Sequence, residues 1–111
     1  MQKGFYRFYA KERWINRNIE IEESLYSELK RLSEQELDAS INKLIDACVE
    51  HFTVENDAII YYKKPKEEIT IARSIRLRES MWNKLDQYKR DYDISLYKLI
   101  NMSIKYTLED K

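Results

Sequence analysis

Cys48 and His51 stand three residues apart, a spacing that brings two side chains to one face of a helix. A thiolate and an imidazole so placed form a nucleophile–base pair when a third group orients the imidazole inside a cleft. No such group is marked. The chain holds one histidine and one cysteine, and it contains no GxGxxG, GxxxxGK[ST] or GxSxG motif. Cys48 also falls on the apolar stripe of its helical pattern, where a structural, buried thiol beside a half-exposed histidine is the expected arrangement. A single cysteine excludes an internal disulfide framework and every cysteine-rich zinc site. The expectation is a protein that is not an enzyme, with no catalytic residue, no metal and no cofactor.

The elements that carry these residues belong to a small chain. Its 111 residues support one compact domain or two very small modules sharing a core. With 43% hydrophobic and 36% charged residues it is neither disordered nor membrane-like. One Gly and one Pro argue against an all-β sandwich or barrel, which needs many turn residues. The longest apolar run, Ala58 to Tyr62, is far too short to span a bilayer. Residues Met1 to Arg7 include no apolar stretch of secretory type, so a reducing cytoplasm is the expected compartment, with no membrane association.

Internal self-similarity organises the chain. Laying residues 5–36 on 61–92 matches Tyr6 with Tyr62, Glu12 with Glu68, Ile15 with Ile71, Arg17 with Arg73 and Ile19 with Ile75. Glu23-Ser24 then meets Glu79-Ser80, and Leu29 meets Leu85. After a one-residue length difference in a loop, Ser40-Ile41-Asn42-Lys43-Leu44-Ile45 lies on Ser95-Leu96-Tyr97-Lys98-Leu99-Ile100. The identities cluster at patterned positions, which predicts two repeats, 1–55 with an N-terminal aromatic arm and 56–111 with a linker and arm, forming one compact domain.

Each half reads strand, helix, helix. Ile15, Arg17, Ile19 and Ile21 alternate with Asn16, Asn18, Glu20 and Glu22, and Ile71, Arg73, Ile75 and Leu77 alternate with Ala72, Ser74, Arg76 and Arg78. Both strands stop at Glu-Ser, where Ser24 or Ser80, or the Glu before it, can cap a helix. The first helix of each half shows Leu25, Leu29, Leu32 or Met81, Leu85, Tyr88, Tyr92. Ser40 and Ser95 are N-caps for second helices whose apolar positions are Ile41, Leu44, Ile45, Cys48, Phe52 and Leu96, Leu99, Ile100, Ile104.

Neither half buries enough surface to stand alone, and a lone strand leaves its backbone unpaired. Pairing the two strands as an antiparallel ribbon over four helices solves both problems. The expected register sets Asn18 opposite Ser74, Asn16 opposite Arg76 and Glu20 opposite Ala72. Ile15, Ile19, Ile21, Ile71, Ile75 and Leu77 then face the helices, and a one-residue slip would expose them all.

This pattern resembles the ribbon-helix-helix family of DNA-binding proteins, of the Arc/MetJ/CopG type. The resemblance rests on Ser74-Ile75-Arg76-Leu77-Arg78-Glu79-Ser80-Met81 with Ser95 to Ile100, and on Asn18-Ile19-Glu20-Ile21-Glu22-Glu23-Ser24-Leu25 with Ser40 to Ile45. It covers about residues 15–53 and 71–108. The implied fold is mainly α with a short β-ribbon: two fused ribbon-helix-helix repeats forming an intramolecular pseudo-dimer, similar to tandem-repeat accessory proteins of conjugative plasmid relaxosomes. Most members reach that fold by homodimerising.

The resemblance implies that the ribbon enters the major groove of double-stranded DNA and that outward strand residues read base edges. Those positions are Asn16, Asn18 and Glu20 in one half and Ala72, Ser74 and Arg76 in the other. Arg76 suits guanine O6 and N7, Asn16 and Asn18 suit adenine, and Ser74 suits either. Glu20 and Glu22 would face the groove, where a cytosine amino group is the one partner for Glu20. The resemblance also implies phosphate contacts at the starts of the second helices, at Ser40 and Ser95, with charge from Lys43 and Lys98. Arg78 and the run Lys63-Lys64-Pro65-Lys66 are further phosphate candidates, the run being equally a solvated linker. Arg17 and Arg73 fall at inward positions, where their stems can pack while the guanidinium groups reach the ribbon's edge.

Charge divides the chain: 8 basic against 11 acidic residues in 1–55, and 12 against 9 in 56–111. Complementary halves favour each other over a second copy; alternatively, unlike halves meet an asymmetric DNA site. The aromatic segments 5–9 and 59–63 suggest short extra strands that cover the helices, or an arm touching DNA or a partner. The expected function is sequence-specific DNA binding as a transcriptional repressor or a plasmid or phage DNA-processing accessory factor in a prokaryotic cytoplasm. Side-by-side binding of two chains on DNA stays open. Glu20, Glu22 and the zero net charge favour a different class, a protein-interaction module such as an antitoxin or assembly adaptor on the same scaffold.

Overall fold

A computed structural model describes residues 12–36, 39–55 and 68–109. Within them the chain is mainly helical with a two-stranded antiparallel sheet and four helices. Strand β1 (Trp14–Glu22) runs directly into α1 (Glu23–Gln35), and α2 (Ile41–Glu55) follows. Strand β2 (Thr70–Arg78) runs into α3 (Glu79–Tyr92), and α4 (Leu96–Glu109) follows. The aromatic segments 5–9 and 59–63 and the basic run 63–66 lie outside the described residues.

The ribbon has the register its hydrophobic alternation demands: Asn16 opposite Arg76, Asn18 opposite Ser74, Glu20 opposite Ala72. Ile19, Ile21, Ile75 and Leu77 are buried beneath it, with Ile15 packed against the same core. Ile71 departs from the expected inward set. It shares the helix-facing parity and stands opposite the buried Ile21, yet it is 41% exposed. It sits one residue from the strand's start, beside the still more exposed Ile69, so at this end of the ribbon the helical layer covers β1 but not β2.

The helices cross over between strands. Helix α2 packs against β2 and α4 against β1, while α2 and α4 pack on each other. One core cluster therefore joins Leu29, Ile45, Cys48 and Val49 to Trp82, Leu85, Leu99 and Ile100. Tyr92, on the expected stripe of α3, is instead exposed in the last turn, its ring edge-on to Tyr88. Asp93 ends that helix in the left-handed region, φ 54° and ψ 48°, a conformation a short polar side chain tolerates better than most. No described helix is long and apolar enough to cross a membrane.

Ser40 and Ser95 cap as expected, their Oγ atoms accepting the N–H of Lys43 at 3.2 Å and of Lys98 at 3.3 Å. The starts of α1 and α3 are capped differently. Glu22 and Arg78 occupy the N-cap positions and make no side-chain cap, because each strand enters its helix without a loop. The acceptors come from the segment before the opposite strand. Glu68 Oε1 accepts the Ser24 N–H and hydroxyl, and Glu12 Oε1 accepts the Ser80 N–H. The Ile69 and Arg13 carbonyls likewise accept the N–H groups of Glu23 and Glu79 at 2.8 and 2.9 Å.

Burial pushes the Glu12 carboxyl up, but the hydrogen bonds from Ser80 and the Arg78 charge outweigh it and hold the group below its ordinary value. A carboxyl depressed in the folded state stabilises above its unfolded pKa and loses that contribution as pH falls through the folded one. Glu12→Gln mimics the protonated acid. Its melting temperature is expected to lie below that of the parent at pH 7 and to converge on it as pH falls through the lowered folded-state pKa. A gap independent of pH in thermal scans refutes a charge-assisted cap.

Candidate nucleic-acid interface

The outward face of the ribbon is three rungs of paired side chains: Asn16 with Arg76, Asn18 with Ser74, Glu20 with Ala72. All six residues are exposed. Among the described residues, no hydrogen bond or ion pair engages the side chains of Asn16, Asn18, Ser74 or Arg76. Their donors and acceptors are left to solvent. Directly opposed strand residues lie about 5 Å apart, so the rungs form a narrow row of amide, hydroxyl and guanidinium groups on a two-stranded ribbon of the width a major groove admits.

The other strand arginines are spent on structure. The Arg17 guanidinium donates to both Asp86 oxygens at 3.0 and 3.1 Å and lies 4.7 Å from the centre of the Trp82 ring. Arg73 donates to Glu23 at 2.9 Å and lies 3.7 Å from the Tyr26 ring centre. Their inward placement is thereby explained: each caps an aromatic ring from the helix beginning the other strand's continuation, and each is neutralised there. Arg78 Nε donates to Asp46 Oδ1 at 2.8 Å, and its Nη2 lies 3.4 Å from Glu50. A phosphate at Arg78 has these two carboxylates to compete with. Arg76 alone among the strand arginines has no carboxylate partner within the described residues.

Glu22 does not share the exposed outward face. It is 3% exposed, and its backbone N–H donates to Asn101 Oδ1 at 2.9 Å. The turn from strand into α1 draws it under the ribbon's end. Glu20 keeps the expected outward position, its carbonyl accepting from Asn101 Nδ2.

Helices α2 and α4 bring their first turns to the two ends of the ribbon. At one end, Asn42 Oδ1 accepts the Arg76 N–H at 3.1 Å. Trp14, Ser40, Asn42, Lys43 and Arg76 there line an open pocket of about 280 Å³. At the other end, Tyr97 occupies the matching place. Its hydroxyl is buried without a hydrogen-bond partner, and burial together with the charges of Glu22, Glu20 and Glu68 raises its pKa. Lys43 and Lys98 are both exposed.

Sequence reasoning missed Trp14, Asn42, Asp46 and Asn101. Asp46 and Asn101 directly follow the matched blocks 40–45 and 95–100, and a polar residue on an otherwise apolar stripe was the available signal. Cys48 is buried, and desolvation pushes its thiol up to about 11, so it stays protonated at neutral pH. The His51 ring rests instead against Tyr106, 5.5 Å between centroids. No family model, curated protein or solved structure matches this chain.

Proposed function

We propose that this chain is a single-chain ribbon-helix-helix protein, two fused repeats acting as an internal pseudo-dimer. It binds double-stranded DNA sequence-specifically by laying the ribbon's outward face in the major groove. The observation that carries the reading is the row Asn16, Asn18, Ser74 and Arg76. These are base-reading side chains, uncommitted among the described residues, on a ribbon whose opposite face is covered by helices. Contacts of the same kind at matched positions support the repeat: Arg17 on Trp82 and Arg73 on Tyr26, Glu12 on Ser80 and Glu68 on Ser24. Ser40 with Lys43 and Ser95 with Lys98, at the starts of α2 and α4, supply phosphate contacts on this reading. A repressor or a plasmid or phage DNA-processing accessory factor is the corresponding role.

Selection from randomised duplexes with the full chain, followed by gel shifts at several salt concentrations, tests the proposal. A preferred sequence with salt-dependent affinity is expected. Arg76→Ala is expected to cost about 1–3 kcal/mol and to relax preference at one base pair. Unchanged preference removes Arg76 from the reading role. The exposed Glu20 and the exposed Ile69 and Ile71 favour a second reading, a protein-interaction module. That reading prevails if no duplex is retained and the chain co-purifies with a tight protein partner.

A further inference from the structure

The two ends of the ribbon are built alike but charged unlike. Matching 5–36 to 61–92 and 40–45 to 95–100 aligns Arg76 with Glu20, Trp14 with Thr70 and Asn42 with Tyr97, while lysines match at 43 and 98. At the first end, the Asn42 bond to the Arg76 N–H holds the start of α2 against β2. Arg76 and Lys43 thus border one open pocket floored by Ser40, Asn42 and Trp14. Two exposed cations there face outward, with no carboxylate partner among the described residues. At the second end, the exposed Glu20 puts a carboxylate at the place matched to Arg76, and Lys98 stands at the place matched to Lys43. Glu68 and Glu22 stand close enough that, with Glu20, they act on the Tyr97 hydroxyl.

Resting on the DNA-binding reading above, we propose that the ribbon engages DNA from one end. The Asn16–Arg76 rung reads a guanine-containing step and Lys43 holds the adjoining phosphate, while the Glu20–Ala72 rung lies over the groove without an equal backbone anchor. A cation pair beside a polyanion gains from counterion release, whereas a carboxylate at the matching place is repelled unless a cytosine amino group meets it. The favoured site is therefore one-sided and non-palindromic, and the protein sits on it in a single orientation.

The test uses the full chain on the sequence recovered from randomised duplexes. Information is expected to concentrate at one side of the recovered motif, with hydroxyl-radical protection displaced to that side. Lys43→Ala is expected to cost about tenfold in affinity and to lower the salt slope by about one. Lys98→Ala should cost clearly less, and Glu20→Gln should raise affinity several-fold. All three side chains are exposed, and unchanged melting temperatures exclude misfolding as the cause. A palindromic motif with equal losses from Lys43→Ala and Lys98→Ala overturns the one-ended engagement while leaving DNA binding intact. Absence of salt-sensitive retention on any duplex overturns DNA binding itself.

Discussion

Trp82→Ala is expected to destabilise the fold by about 3–5 kcal/mol, the range for deleting a large buried aromatic side chain. Trp82 is fully buried where α3 meets the ribbon, and its Nε1 donates to the Ile15 carbonyl at 2.8 Å. Its ring also carries the Arg17 guanidinium. One truncation thus opens a cavity, frees a strand carbonyl and strips a half-buried cation of its aromatic support. A domain of this size loses about 4–8 °C of melting temperature per kcal/mol, so the variant should melt tens of degrees below its parent. Trp82→Phe keeps most of the volume and loses the indole N–H, and is expected to cost about 1–2 kcal/mol. A Trp82→Ala protein melting within a few degrees of the parent removes this residue from the core account.

Asp46→Ala is expected to cost about 3–5 kcal/mol, the range for breaking a buried charge pair from one side. Asp46 is buried in α2, and one oxygen accepts the Arg78 N–H at 2.9 Å while the other accepts Nε at 2.8 Å. Removing it leaves a strand-end amide and a guanidinium without their main acceptor. Asp46→Asn keeps an acceptor for the amide and loses the charge, so about half that cost is expected. Asn101 shows why the amide is right at the other end. There the backbone N–H belongs to Glu22, and a second carboxylate would face the first. Urea unfolding of the two variants, with unchanged m-values, measures both costs. Equal losses in the two place the whole cost on the charge, whereas an Asp46→Asn protein as stable as the parent shows that the charge contributes nothing.

Local and periodic features were readable in the residues alone. The period-2 alternation of 15–21 and 71–77, and the match between them, led to the register that the ribbon has. Ser40 and Ser95, directly before apolar helical patterns, cap as such residues should. What escaped was long-range and aperiodic. Nothing near Ser24 or Ser80 says that their N–H acceptors are Glu68 and Glu12 from the far side of the ribbon. Arg17 and Arg73 broke the apolar pattern because each has a ring and a carboxylate waiting on a helix distant in sequence. Ile71 kept its parity but not its burial, since alternation assigns a face and not the extent of the layer beneath it. At the candidate interface the outward residues followed from parity, whereas Glu22 did not, because the strand end bends into a helix there.

The crossing of α2 under β2 and of α4 under β1 bears on how the chain is made. Ribosomes release residues 14–55 well before 70–78, and until then β1 has no ladder partner and α2 no sheet to lie on. Until then Ile19, Ile21 and Val49, all buried in the finished domain, have no complete core to enter. Native order then arrives in one late event set by distant pairings, which makes for slower folding than a helical bundle of equal size achieves.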